Sequence, residues 1–340
     1  MKTISVKDVS EIIRSHGYEN IARDLMSQIK SDFKNWDNLT KIPRPAMHVE
    51  DGVLELMPVC DDDYYGYKYV NCHPNNPRTG KMTVVATGQL SEVSTGYPLM
   101  FSEMTLLTAL RTAATSAVAT ELMSRKDSQV MAVIGTGAQS EFQVRTACLV
   151  RDIKQVRYFD IDEKAMDKFE QNMSKYSVQL IRCSSAEDAV SSADIVTVCT
   201  ACKKHVDVIK SAWIKSGTHI NALGGDTVGK TELELDLLYR SRIVVEYFEQ
   251  SIIEGEIQRL NRDEAGAMIV GELHELMLGQ RQARLSSSDI TLFDSVGVAV
   301  EDLAALKLFY CLAKKYNVGK DLDFVPEITD PKDLISLVSN

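Results

Sequence analysis

Residues 130–140 read VMAVIGTGAQS. The apolar, β-rich run Val130-Met131-Ala132-Val133-Ile134 stops at Gly135-Thr136-Gly137, and Ala138, Gln139 and Ser140 then open a helix-like segment. A strand, a tight turn and a helix N-terminus in that order can cradle a dinucleotide pyrophosphate on free backbone N–H groups. Gly135 permits the turn, Gly137 removes the Cβ that would hold phosphate away, and Ser140 is small enough for close helix–strand packing. GxGxxS by itself also fits an ordinary strand-to-helix turn. Its surroundings favour a nucleotide, because a second strand over 155–159 ends in Asp160, 25 residues after Gly135. A carboxylate there meets the adenosine ribose hydroxyls. Asp160, followed by Ile161-Asp162-Glu163 with no Arg or Lys, would repel a 2′-phosphate and so select NAD over NADP.

Working outward, strands and helices alternate: helix 139–151, strand 155–159, helix 163–175, strand 178–182, helix 185–191, strand 194–200, then strands 217–222 and 242–246. Such alternation gives a parallel, doubly wound (Rossmann-type) sheet. Upstream the texture differs. Helical periodicity over 5–34 gives way, from Arg44 to Phe101, to short strands and turns: a hairpin over 48–59 around Glu50-Asp51-Gly52, then strands 66–72, 83–87 and 98–101. The expectation is an antiparallel α+β domain without crossover helices. An alanine-rich helix over 103–124 would join the two domains, and a last helix over 298–316 would return to the first.

A chain of 340 residues exceeds what one core usually organises, so two domains are expected. The net charge of −10 gives no general attraction to nucleic acid or to an anionic membrane. The N-terminus lacks a signal-peptide core, no run approaches a membrane span, and a cytoplasmic protein is expected. Seven scattered cysteines argue against a disulfide framework. Cys199 and Cys202 form a CxxC, but no second pair accompanies it; it reads as the end of a buried strand, and no metal is expected.

Several charged residues stand in apolar surroundings. Gly224-Gly225-Asp226 follows a strand of the nucleotide domain, so Asp226 would face the crevice at the strand ends, although a turn closed by a local Asx bond is the simpler alternative. Arg111 lies mid-helix among Leu and Ala, where a permanent cation needs an anion: a structural carboxylate such as Glu103 or Glu121, a substrate carboxylate, or the pyrophosphate. Arg44, Lys68 and Glu55 sit in the sheet domain. Together they suit a site with two cations for a carboxylate and one anion for an amine.

IPRPAM, LELMP, YGYKYVN, ALRTAATSA, VIGTGAQSEFQ, FDID, NALGGDTVGKTELE and FDSVGVAVED occur in this order between residues 42 and 302. In these motifs the sequence resembles the ornithine cyclodeaminase/μ-crystallin family, and GGDxxGKTEL is rather specific to its cyclodeaminase branch. The resemblance implies a homodimer built through a substrate-binding and dimerisation domain (1–112 and 303–340), with a NAD-binding domain over 113–302. It further implies that Arg44, Lys68 and Arg111 hold the substrate carboxylate, that Val296 lies near the substrate and Glu55 near its amine, and that Asp226 is the acid/base. Thr83, Arg111, Gly135, Gly137, Ala138, Gln139, Asp160, Thr200, Leu223, Gly224, Gly225, Asp226, Lys230 and Ser295 would line NAD. The implied reaction oxidises L-ornithine at Cα with NAD, closes the ring through the δ-amine, releases ammonia and returns the hydride to give L-proline. Lysine cyclodeaminase, ketimine reductase or alanine dehydrogenase on the same fold, and a crystallin-like dinucleotide-binding protein without turnover, are the alternatives.

Overall fold

The computed structural model describes residues 1–201 and 205–338. One sheet has eight strands, all parallel, in the spatial order Gln179–Arg182, Gln155–Phe159, Val130–Ile134, Ile195–Val198, His219–Ala222, Ile290–Asp294, Ser241–Val245, Ile269–Glu272. Chain order reverses between Val130–Ile134 and Ile195–Val198, which opens a crevice at their carboxyl ends. Both faces of this sheet are covered, so its central strands Val130–Ile134 and Ile195–Val198 are buried almost throughout rather than alternating. Met131, Val133 and Ile195 point into one core, Ala132, Ile134, Val196 and Val198 into the other. The strands Ile269–Glu272 and Ile290–Asp294 extend the sheet beyond the repeats expected from sequence, because the segments before them carry short helices and turns instead of one clear crossover helix.

The other sheet is antiparallel as expected, apart from one parallel pair. Its hairpins Gly52–Cys60, Tyr64–Cys72, Val84–Glu92 and Pro98–Glu103 are antiparallel, but Lys2–Ile4 adds to Pro98–Glu103 in parallel, Lys2 opposite Met100. Three residues are too few for a readable period of two. The strand order is completed by Lys320–Asp321 beside Lys2–Ile4, and by Thr40–Lys41 and Ala46–Val49 on Gly52–Cys60. Register places Glu55 and Lys68 on the same covered face of this sheet.

Helices Val6–His16 and Tyr18–Lys34 are separated by Gly17 at φ +87°. Helix Thr105–Met123 is buried on nearly all sides and touches strands of both sheets. Helix Ala299–Tyr316 returns across the covered face of the mixed sheet, as its sequence suggests. It comes close because Gly66 has no side chain: a Cβ there would stand 2.9 Å from Leu303 Cδ1. That approach brings Glu301 and Asp302, in its first turn, over Lys68 and Arg111.

Candidate active site

Gly135, at φ +91°, has its would-be Cβ 2.8 Å from the Cys199 carbonyl, so only glycine lets the first turn close against the neighbouring strand end. Beside Gly137 the Cβ position is open, and Gly137 and Ala138 are exposed. Ser140 is buried and its hydroxyl donates to the Gly137 carbonyl at 2.8 Å. Asp160 Oδ2 accepts the Thr136 N–H at 2.6 Å and its hydroxyl at 3.2 Å, while Oδ1 accepts the Asp162 N–H at 3.0 Å. Each carboxylate oxygen has two acceptor positions, so capacity for ribose hydroxyls remains. Gln139 Oε1 is buried with no partner within the chain. An open cradle, a strand-end carboxylate and an orphaned acceptor beside it fit a dinucleotide. Cys199 donates to the Gly135 carbonyl at 3.1 Å, in keeping with a strand-end role; Cys202 lies outside the described residues. Thr83 joins none of the site groups through a contact of its own among the described residues, and its carbonyl accepts the His73 N–H at 2.8 Å.

At the carboxyl ends of the parallel strands a second group of residues converges. Arg44 donates through Nε and Nη2 to Glu254 at 2.8 and 2.5 Å, through Nη2 to the backbone carbonyls of Asp226 and Val296, each at 3.1 Å, and pairs with Glu55 at 3.2 Å. Lys68, 1% exposed, pairs with Asp302 at 3.0 Å. Arg111 reaches Asp302 at 3.1 Å and Glu301 at 2.5 Å. The structural partners considered from sequence, Glu103 and Glu121, are therefore replaced by two carboxylates nearly 200 positions away along the chain. Ser295, Val296 and Gly297 donate to Glu246 at 2.6, 3.0 and 2.7 Å, which fixes the turn after Ile290–Asp294 beside the Arg111 guanidinium.

Three buried cations, Arg44, Lys68 and Arg111, share this pocket with the carboxyls of Glu55, Glu254, Glu301 and Asp302. Burial pushes the Glu55 carboxyl up against the pull of Arg44, and burial with Glu246 raises Glu301 well above its usual range. Burial, with Arg111 adding to it, lowers Lys68 to about 8. The guanidiniums of Arg44 and Arg111 stay charged among these buried carboxyls. Among the described residues Glu301 Oε1 is a buried acceptor without a hydrogen-bond partner, while Glu55 Oε1 and Asp302 Oδ2 are engaged by their ion pairs with Arg44 and Lys68.

Asp226 is the more exposed acid, its side chain 37% accessible, and pairs with Lys230 at 2.8 Å. Lys230 Nζ also donates to the Thr200 carbonyl at 3.4 Å, and Leu223 N–H to Val198 at 2.9 Å, so the Leu223–Lys230 loop is tied to the central strand. A Cβ on Gly224 would run into the Glu232 carboxylate, and one on Gly225 would lie 2.9 Å from Glu256. A cavity of about 180 Å³ opens beside this loop, lined by His48, Asp51, Cys72, Pro74, Thr227 and Lys230 among others. Sequence reasoning missed Glu232, Glu246, Glu254, Glu301 and Asp302. The available signal was an acid within or next to an apolar run, as in Ile243-Val244-Val245-Glu246 and Val298-Ala299-Val300-Glu301.

Comparison with known proteins agrees with this fold. The chain is 45% identical over 335 residues to an ornithine cyclodeaminase of Agrobacterium fabrum (strain C58 / ATCC 33970), covering 98% of this chain and 94% of that one. It superposes on an archaeal alanine dehydrogenase dimer with bound NAD at a TM-score of 0.88 and 32% identity, covering 96% of this chain and 99% of the other. On a lysine cyclodeaminase studied for recognition of L-lysine, L-ornithine and L-2,4-diaminobutyric acid the TM-score is 0.89 at 28% identity, covering 98% of each. The sequence profile of the ornithine cyclodeaminase/mu-crystallin family matches residues 6–316, and the chain belongs to that family.

Proposed function

We propose that this protein is an ornithine cyclodeaminase that converts L-ornithine to L-proline and ammonia with a tightly held NAD. The convergence of Arg44, Glu55, Lys68, Arg111 and Asp226 at the strand ends carries this reading, and the 45% identity to a named ornithine cyclodeaminase supports it. Gly135, Gly137, Ala138, Gln139 and Asp160 would hold the pyrophosphate and adenosine ribose; Thr200, Leu223 to Asp226, Lys230 and Ser295 would line the other end, with Thr83 near it. Bound NAD supplies a reversible two-electron acceptor for the substrate's Cα–H bond.

The chain's own residues do the rest. Arg44, Lys68 and Arg111 clamp the substrate carboxylate, and Val296 lines its pocket. That clamp fixes Cα and keeps the ring-closing carbon in place after the α-nitrogen has left. Glu55, held beside the Arg44 guanidinium, faces the amine. Asp226 takes and returns the protons of the two amines, and its partial exposure gives those protons a route to water. Net redox change is zero: the product retains the oxidation level of the substrate less one ammonia.

The same proposal includes a homodimer formed on the uncovered face of the mixed sheet. Leu56, Tyr69 and Val85, with Tyr65 and Phe101, share that face by register and are exposed. It also includes a cytoplasmic location, in keeping with free thiols at all six described cysteines. A second reading, lysine cyclodeaminase, is favoured by the close superposition on that enzyme. Offering L-ornithine, L-lysine, and pyruvate with ammonia separates them. Ammonia and proline from ornithine, without accumulation of free NADH, is the expected result; preference for lysine, or reductive amination of pyruvate, overturns the substrate assignment.

A further inference from the structure

Behind the Gly224–Asp226 turn lies a carboxyl to which the proposed chemistry gives no task. Glu232 is 1% exposed, and its backbone N–H is anchored on Glu256 Oε1 at 2.8 Å. Its Oε1 accepts the Thr200 hydroxyl, while Oε2 is buried, has no hydrogen-bond partner among the described residues, and abuts Gly224. A buried acid kept for structure alone normally has both oxygens satisfied. Lys230, two residues earlier, binds Asp226 Oδ1 at 2.8 Å and the Thr200 carbonyl at 3.4 Å. Burial opposes the Lys230 charge, yet Asp226 and then Glu232 hold it above the usual lysine range. The ammonium thus pairs with Asp226 at the crevice, and Thr200 bridges it to the acid behind, its carbonyl accepting from Lys230 and its hydroxyl donating to Glu232.

We propose that Glu232 is a positioning residue of the reaction, setting through Lys230 and Thr200 how Asp226 is held and how much negative charge underlies the crevice. This rests on Asp226 as the acid/base. Ionised, Glu232 draws on the ammonium that Asp226 also uses; protonated, it leaves that ammonium to Asp226. The switch falls in a useful range, because burial raises Glu232 to about 7 against Lys230 and the Thr200 hydroxyl. Among the described residues, the other titratable groups facing it are Cys199, whose thiol is pushed up by burial and then by Glu232, and Glu256, raised by burial and Asp294. Neither supplies a competing cation.

The test uses the full chain and two variants, Glu232→Gln and Glu232→Asp. Affinity for NAD⁺, followed by fluorescence titration, should tighten in the unaltered chain as pH rises through about 7, since ionised Glu232 attracts the cationic ring. Glu232→Gln should lose that step and Glu232→Asp keep it. With L-ornithine, Glu232→Gln should lower kcat about tenfold with KM moving less than about threefold, and the effect should vanish in an Asp226→Asn background. NAD⁺ affinity independent of pH in the unaltered chain, a step retained in Glu232→Gln, or a fall in Tm with an unchanged pH profile overturns the proposal. Failure of the ornithine reading is distinguishable, because it appears as absent turnover while NAD⁺ binding and its pH step persist.

Discussion

At the residue scale, the proposed acid/base chemistry depends on one side chain that differs from its acidic neighbours. Glu55, Glu254, Glu301 and Asp302 are buried among the cations, whereas Asp226 is partly exposed and paired with a lysine. Asp226→Asn keeps the shape of the loop and removes the base. A folded protein that still binds NAD but turns over at least about a hundredfold more slowly is expected, the low end for general acid–base catalysis. Near-normal steady-state turnover would move proton transfer to Glu55 or to water. The cationic half of this site was legible in the sequence, since Arg111 inside an Ala/Leu helix and Lys68 between tyrosines are each out of place. The acidic half was not, because Glu301 and Asp302 reach Arg111 only through the return of the last helix.

At the element scale, that return depends on the turn between Ile290–Asp294 and Ala299–Tyr316. Gly297 has φ +78°, and a Cβ there would lie 2.7 Å from Arg111 Nη1. Gly297→Ala combines a disfavoured backbone with a collision against the guanidinium. It should cost about 1–3 kcal/mol of stability and weaken substrate binding more than NAD binding. Denaturant titration and separate KM and Kd measurements check this; wild-type stability and KM would mean that the turn does not set Arg111. Elements marked by an apolar run, such as Val130–Ile134 and Thr105–Met123, were readable within a few residues. Lys2–Ile4 and Lys320–Asp321 were not: two or three residues carry no period, and their pairing with each other and with Pro98–Glu103 is decided by tertiary contact.

At the scale of the whole molecule, one sheet is covered on both faces and the other on one, leaving an apolar surface of the kind that marks association. Leu56→Asp with Tyr69→Asp should convert a dimer to a monomer in light scattering; an unaltered chain that is already monomeric at assay concentrations would contradict this. The most direct test of the central claim follows a single hydrogen. The clamp of Arg44, Lys68 and Arg111 should keep the substrate in place from oxidation to ring closure, so the hydrogen taken from Cα should return to the same carbon. With L-ornithine deuterated at Cα and a large excess of unlabelled NADH, mass spectrometry should find the proline labelled at C2. Unlabelled proline, or free labelled NADH formed in step with ammonia, would contradict the closed cycle and favour an amino-acid dehydrogenase on this fold.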